Sequence, residues 1–453
     1  MNKSSTVLFW ILILALILRL ALVISVQGHL ERANEPDTPT YIDPALRLLR
    51  GEGFIADSHR TPVYPLFIAF IYRLFGEGSL PIILAQILLS VLTVFMTYLI
   101  GKVLLSEAAG LLAAFLMAIS IESITHAFFL LTETLFTSLF LGAILAYVIF
   151  RQSRKRIWIF LSGGLMGLSI LCRPIATYFP YWFLILVFFD LARDMRERVT
   201  KAAIYALSLL VVIIPWMIWN YASIGIATIT TISNYNLLFY NAASLQANKM
   251  EVYEEQVREI LRDQVGQVMQ ERRLSDTPAN RDLVYQELAR NIISSDPLRY
   301  VYLHLKNDVN NLLPGVTDLT EILGVTVGGK GTLAILNKDG LLAAIRYYFE
   351  DQIWLIGIFA PAIALLVLIY LTDLIGIGVL VKERNWFALL LLLLPLLYLM
   401  LIPGAPSNQR FRVPAMPYIC LLAAQGSVFI WYSVKSISTK RKALGVRTKT
   451  SDN

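Results

Sequence analysis

Charge is what this sequence has least of. Asp, Glu, Lys and Arg make up 16% of its 453 residues, where a soluble domain carries about a quarter. That shortfall excludes an ordinary water-soluble fold, and the mean hydropathy of +0.63 points the same way. Cysteine is nearly missing too. Cys172 and Cys420 are the two present, both in or beside apolar runs, so neither a disulfide framework nor a thiolate metal site can be read. Four histidines are too scattered for a ligand cluster. No internal repeat is visible, which removes the usual mark of a transporter built from inverted halves. The net charge of +7 does not indicate nucleic acid, because the basic residues gather in short loops between apolar runs, where they report topology.

What is there instead is a succession of long uncharged stretches. They predict an all-α polytopic membrane protein with about ten transmembrane helices, over residues 7–26, 79–100, 108–120, 127–150, 157–171, 175–189, 202–219, 352–371, 386–402 and 413–434. The first is long enough to span and lacks a clean small-x-small cleavage site, so it reads as an uncleaved helix. Arg19 inside it either snorkels or faces the protein interior. Residues 66–75 are apolar but too short to span, hence re-entrant or interfacial. An even number of spans puts both ends on one side. Lys3, Arg151 to Arg156, the group Arg193, Arg196, Arg198 and Lys201, the pair Lys382 and Arg384, and the basic tail then share that side, and the positive-inside rule makes it cytoplasmic. The polar loop 27–65, the segment 220–351 and the loop 403–412 face outward.

Four regions follow. Residues 1–219 form a transmembrane catalytic module with the outer loop 27–65. Residues 220–351 form a mainly helical extracytoplasmic subdomain. Residues 352–434 complete the spans, and 435–453 are a basic cytoplasmic tail. In the subdomain, Val257, Ile260, Leu261, Val265, Val268 and Met269 make one apolar stripe. Thr277-Pro278 and Asp296-Pro297 each read as a cap followed by a helix start. Gly324 to Lys330 fits GxxxxGK, but Gly331 follows where a P-loop needs Ser or Thr, and no strand pattern precedes it. A flexible loop accounts for it.

The outer loop holds the candidate chemistry. Glu35, Asp37 and Asp43 fall close together beside a membrane boundary. Pro36 and Pro39 stiffen the chain around Asp37, the neighbouring acids raise its pKa, and Tyr41 follows one helical turn on. Asp37 is either a plain loop acid or a general base. Asp43-Pro44 reads as the cap and first residue of a short surface helix. Arg60 either anchors the loop to lipid phosphate or holds a substrate phosphate in a bidentate fork, with His59 assisting or capping. Glu133 sits near the outer end of an apolar run, as a functional charge or as the partner of an arginine such as Arg60 or Arg173. Arg173, Arg410 and Arg412, with Lys306 and His304 as weaker pointers, are outward cations against the topological trend. They suggest an anionic ligand on the outer face.

The stretch Pro36-Asp-Thr-Pro-Thr-Tyr41, the helix ending Leu49-Arg-Gly-Glu-Gly-Phe54, and Arg60-Thr-Pro-Val-Tyr-Pro65 resemble the first outer loop of GT-C-fold glycosyltransferases. The nearest branch is the protein mannosyltransferase and aminoarabinose transferase superfamily, in its RgtA/B/C/D-like form. Thr132-Glu133, Leu171-Cys-Arg-Pro174 and Arg410-Phe-Arg-Val-Pro414 also look like that pattern, and the resemblance covers roughly residues 7–220. It implies a GT-C-like fold in the cell membrane and a sugar carried on a polyprenyl phosphate. Transfer would be to a hydroxyl of a glycan, lipid or protein on the extracytoplasmic side. Asp37 matches the family's catalytic acid and would invert the anomeric centre. Pro36 and Thr38 replace the adjacent Asp-Glu pair of the protein-mannosylating enzymes, so Glu35 is a loose substitute. Arg60, His59, Arg173, Arg410 and Arg412 are the candidates to hold the donor phosphate, and Tyr41, Tyr64, Glu133 and Lys306 the candidates to contact substrate. No cofactor is expected; a divalent metal is compatible with the family but not indicated. The bilayer is a partner and nucleic acid is not. The competing function is a lipid-linked-sugar flippase or transporter, which needs charges along a path through the membrane.

Overall fold

The computed structural model describes residues 3–26, 28–54, 59–189, 194–325, 335, 339–349 and 352–449. Arg193 and the greater part of the GxxxxGK stretch lie outside them. Among the described residues the chain is helix and turn, with no strand. The helices are α1 (Lys3–Ser25), α2 (Pro39–Leu49), α3 (Val63–Phe75), α4 (Ser79–Leu104), α5 (Glu107–Ile119), α6 (Ile121–Thr125), α7 (Glu133–Ser153), α8 (Arg156–Cys172), α9 (Phe179–Phe189) and α10 (Met195–Ile224). Then come α11 (Ile232–Asn236), α12 (Ala243–Met250), α13 (Glu254–Glu271), α14 (Pro278–Ser294), α15 (Pro297–Asp308), α16 (Val316–Leu323), α17 (Leu341–Phe349), α18 (Ile356–Lys382), α19 (Trp386–Leu401) and α20 (Met416–Lys449). Six stretches are long and apolar enough to cross a bilayer: Lys3–Ser25, Ser79–Leu104, Glu133–Ser153, Met195–Ile224, Phe359–Lys382 and Gln409–Ser436. The apolar helices α3, α5, α8, α9 and α19 are shorter. The protein is a multi-pass membrane protein.

Interior polar groups explain how the bundle closes. Arg19 faces inward: its Nε donates to Ser90 Oγ at 2.8 Å, and its Nη atoms donate to the Ala15 and Ala118 carbonyls and to Ser123 Oγ. The span expected over 127–150 begins only at Glu133, because residues 126–132 run as irregular backbone. Non-helical backbone at membrane depth needs partners, and it has them. Leu130 N–H donates to the Ala33 carbonyl, and Gln86 Nε2 donates to the carbonyls of Ala127 and Phe129 at 3.3 and 2.8 Å. Elsewhere glycine allows contact. A Cβ on Gly376 would land on the Leu422 carbonyl, and one on Gly426 on the Thr372 carbonyl, so α18 and α20 touch backbone to backbone there.

The helices turn at two ends of one bundle. At one end Asn385 Nδ2 donates to the Leu104 carbonyl at 3.4 Å, Arg151 stacks on the Phe387 ring, and Arg154 lies 3.8 Å from Glu197. The basic loops therefore meet there. The other end carries the irregular segments and a separate helical unit, α11 to α15. Leu238, Phe239, Val257, Leu261, Val265 and Met269 belong to its own buried cluster. The predicted stripe is thus largely buried, except that Ile260 is exposed and Val268 is partly so. Both predicted caps form: Thr277 accepts from Asn280 N–H and Asp296 from Arg299 N–H.

Candidate active site

The outer loop folds back on the irregular segment. Thr38 Oγ1 accepts from Glu35 N–H at 2.8 Å and donates to the Leu130 carbonyl at 3.2 Å. This fixes a tight turn over 35–38, with α2 starting directly after it. The helix begins at Pro39, not Pro44. Pro39 occupies the first helical turn, where its missing N–H costs nothing, and Pro44 is carried inside the helix. Asp37 therefore sits at the mouth of α2, pointing at two guanidinium groups. Arg60 Nη2 donates to Asp37 Oδ1 at 2.7 Å and Arg410 Nη1 donates to Oδ2 at 3.2 Å. Arg60 is held in turn by Thr40 Oγ1 at 2.9 Å, by the Tyr41 hydroxyl at 3.1 Å and by the face of the Tyr41 ring. Glu133, the first residue of α7, is buried and forms an ion pair with Arg173 at 2.5 Å. Arg410 Nε lies 3.8 Å from the same carboxylate and makes no hydrogen bond. Arg410 thus bridges the two acids.

These five charged groups line one face of a cavity of about 410 Å³. Three arginines against two carboxylates leave that wall net positive. The helical unit contributes mainly neutral polar side chains to the lining, Asn234, Asn236, Asn241 and Tyr300, together with His304. His59 also lines the cavity, its ring edge-on to Tyr235 and its carbonyl accepting from Thr230 Oγ1. The asparagines and Tyr300 carry no sequence signal of their own; only the fold brings them to Asp37.

Several expected residues lie elsewhere. Tyr64 is fully buried beneath the cavity, and its hydroxyl donates to Gln86 Oε1 at 2.7 Å. It supports the 126–132 segment. Arg412 is fully buried and paired with Glu122; it also donates to the Asn311 and Leu313 carbonyls and to the Tyr370 hydroxyl. Lys306 lines a different, shallow cavity with Asn248 and Arg299. Glu35 does not line the cavity. Burial first, then the like charges of Glu321 and Asp318, push its carboxyl up to about 7, against the pull of Arg410. For Asp37 burial also raises the pKa, but Arg60 and Arg410 outweigh it and hold the carboxyl below the usual carboxylate range. The neighbouring acids do not govern Asp37, contrary to the sequence expectation, because both of its oxygens face arginine. Among the described residues, no group of three His, Cys, Asp or Glu side chains is placed to hold a metal ion.

The two shifts have opposite signs in stability. The Glu35 pKa is raised on folding, so the unfolded chain releases its proton first and stability falls as pH rises from about 4.5 to about 7. Glu35→Gln is expected to raise the thermal midpoint at pH 8, to leave it unchanged near pH 4, and to retain activity. Melting curves in detergent at the two pH values check this.

Residues 59–219 match the family model described as dolichyl-phosphate-mannose-protein mannosyltransferase. No curated protein matches the chain by sequence. Among solved structures, the archaeal oligosaccharyltransferase AglB from Archaeoglobus fulgidus, in complex with an inhibitory peptide and a dolichol-phosphate, aligns over 98% of this chain and 52% of its own, at a TM-score of 0.54 and 13% identity. The apo form of the Archaeoglobus fulgidus oligosaccharyltransferase gives a TM-score of 0.56 at 12% identity, with the same coverage. The chain spans about half the length of these proteins. A weaker similarity, on which nothing rests, is to ArnT from Cupriavidus metallidurans bound to undecaprenyl phosphate, at a TM-score of 0.41 and 14% identity over 92% of this chain and 77% of the other. The class is therefore a multi-pass helical membrane protein of the GT-C fold. Within that class, residues 59–219 are the segment that carries the mannosyltransferase-family pattern.

Proposed function

We propose that the protein is a membrane glycosyltransferase that moves a sugar from a polyprenyl-phosphate donor to an acceptor hydroxyl, with Asp37 as general base. The observation that carries this is the wall where Arg60, Arg410 and Arg173 surround Asp37 and Glu133 in one cavity. In the reaction the acceptor O–H transfers its proton to Asp37 as its oxygen attacks the anomeric carbon. The bond from that carbon to the phosphate oxygen breaks, and the lipid phosphate leaves with the electron pair. Attack opposite the phosphate inverts the centre. Guanidinium groups placed where that charge develops stabilise the transition state. Arg410 is well suited, because it lines the cavity between Asp37 and Glu133; Arg173 and Arg60 complete the charge. Glu133 keeps Arg173 and Arg410 in place. Tyr41 holds Arg60 through its hydroxyl and ring.

The cavity lies at the end of the bundle opposite the basic loops, and the positive-inside rule makes that end extracytoplasmic. The neutral polar side chains from the helical unit suit sugar hydroxyls. Mass spectrometry of lipids and glycans from cells with and without the protein tests the proposal. One sugar should vanish from a glycan, lipid or protein, while its polyprenyl-phosphate form accumulates. Unchanged glycans and lipids would overturn it. Lipid-linked sugar that is merely stranded on one leaflet would instead favour a flippase.

A further inference from the structure

Helix α15 is amphipathic in an inverted sense. Beside the buried Leu303, its inward face is largely polar: Tyr300 and His304 line the cavity, and Asp308 accepts from Gly404 N–H at 2.9 Å and from Ser407 Oγ at 2.7 Å. Its outward face is apolar. Leu298, Val301, Tyr302 and Leu305, and Val309 and Leu312 in the short 3₁₀ turn that continues it, are 83%, 52%, 64%, 50%, 54% and 45% exposed. Steps of three and four residues keep them on a single side at 3.6 residues per turn. A helix bathed in water has the opposite arrangement. Arg299 and Lys306, both exposed and seven residues apart, run along one edge of the stripe.

Depth supports the same conclusion. The Leu312 carbonyl accepts from the Tyr370 hydroxyl at 3.1 Å. Tyr370 lies on α18, twelve residues before Lys382 at the basic end of the bundle. That is about 18 Å along the helix, and a tyrosine leaning back toward the helix N-terminus adds about 6 Å. The sum is within the roughly 30 Å of hydrocarbon in a bilayer. Helix α19 gives the same height independently. It has 16 residues, which rise about 24 Å. At its upper end Asn311 Nδ2 donates to the Met400 carbonyl at 2.9 Å and His304 Nε2 lies 2.9 Å from the Leu401 carbonyl. Leu390, Leu397 and Leu401 on that helix are themselves exposed, so the α15 stripe is tied to the end of a helix with an exposed apolar surface.

We propose that residues 297–312 form an interfacial membrane helix. The apolar stripe is embedded in the hydrocarbon of the cavity-side leaflet, and Arg299 and Lys306 lie at the level of the lipid phosphates. The helical unit is then seated on the bilayer by the same helix that supplies Tyr300 and His304 to the cavity, so the cavity is held at headgroup height. This does not depend on the sugar-transfer proposal.

Spin labels test it on the full chain reconstituted in phosphatidylcholine–phosphatidylglycerol vesicles. Val301→Cys and Leu305→Cys are labelled, with Leu368→Cys on the exposed face of α18 as the membrane reference and Gln270→Cys on α13 as the water reference. The native Cys172 and Cys420 are buried and serve as an unlabelled background. Power saturation against oxygen and a water-soluble nickel complex is expected to place positions 301 and 305 with Leu368, oxygen-accessible and several-fold protected from nickel. Nickel access equal to that at 270 would overturn the proposal. Exclusion of both reagents would overturn it as well, by showing a protein partner or second copy on the stripe. Variants are compared only if they elute like the parent chain.

Discussion

Asp37→Asn is expected to lower sugar transfer in proteoliposomes by about 10²- to 10⁴-fold, the range for loss of a general base, with the elution profile and melting curve little changed. Both guanidinium groups that face Asp37 keep other contacts: Arg60 has Thr40 and Tyr41, and Arg410 has the Glu133 carboxylate nearby. The turn should therefore survive without the charge. The pH profile gives a second reading. Because Arg60 and Arg410 hold Asp37 below its ordinary value of 3.8, the base stays ionised through the whole neutral and mildly acidic range. Any acid limb assigned to Asp37 should lie below pH 4, and a limb near pH 7 would belong to another group. The linked stability has the matching sign: it is present above about 3.8 and is lost as pH falls through the folded-state pKa. Full transfer by the Asn variant would remove Asp37 from the chemistry.

The second large effect should come from outside the cavity. Arg412→Met leaves Glu122 buried without its partner, and removal of one member of a buried ion pair costs about 3–5 kcal/mol. Arg412 also releases the carbonyls of Asn311 and Leu313, so the junction between the helical unit and the bundle loosens. A lowered thermal midpoint in detergent measures this. The double variant Glu122→Gln with Arg412→Met should recover part of the loss, because no isolated charge remains. Equal melting of the single variant and the parent would show that the pair does not hold the junction. Arg410 lies two residues away, on the same 3₁₀ segment Gln409–Ala415, so activity should fall with stability here, unlike in Asp37→Asn.

The fold class was legible because lipid enforces it. Uncharged runs at bilayer length have few alternatives, and basic loops mark one end whatever the tertiary structure. Asp37 and Arg60 were both legible as candidates because they share one stiff loop, but their pairing was not: Arg60 read as a ligand of lipid or substrate phosphate, and Asp37 as crowded by acids. Arg173, Glu133 and Arg410 were visible as charges in apolar surroundings, although the partner of Glu133 was open between arginines. Where the sequence misled, the cause was long-range packing. Nothing in Arg410-Phe-Arg412 says which arginine turns toward the cavity and which is buried with Glu122. Tyr64 shares a motif with Arg60 yet is buried on α3 with its hydroxyl on Gln86. Lys306 and His304 differ by two positions on a helix, and that rotation separates the lipid-side edge from the cavity wall. The neutral part of the lining was invisible because Asn234, Asn241 and Tyr300 come from a unit about two hundred residues or more after Asp37.

The cavity-end helices have one more consequence, which concerns the thickness of the membrane. Helices α8 and α19 carry 17 and 16 residues, against roughly 20 for a full crossing. Measured from the basic end, they stop about 25 Å up, a few ångströms short of the far edge of the hydrocarbon. A stretch short of the hydrocarbon edge is accommodated by local thinning of the bilayer, by snorkelling flanks or by association with other helices. Where the bilayer thins in this way, the cavity, lined by Arg173 at the C-terminus of α8, opens into a dimple in the bilayer surface. A phosphate riding on a lipid tail would settle into that depression without being lifted out of its leaflet.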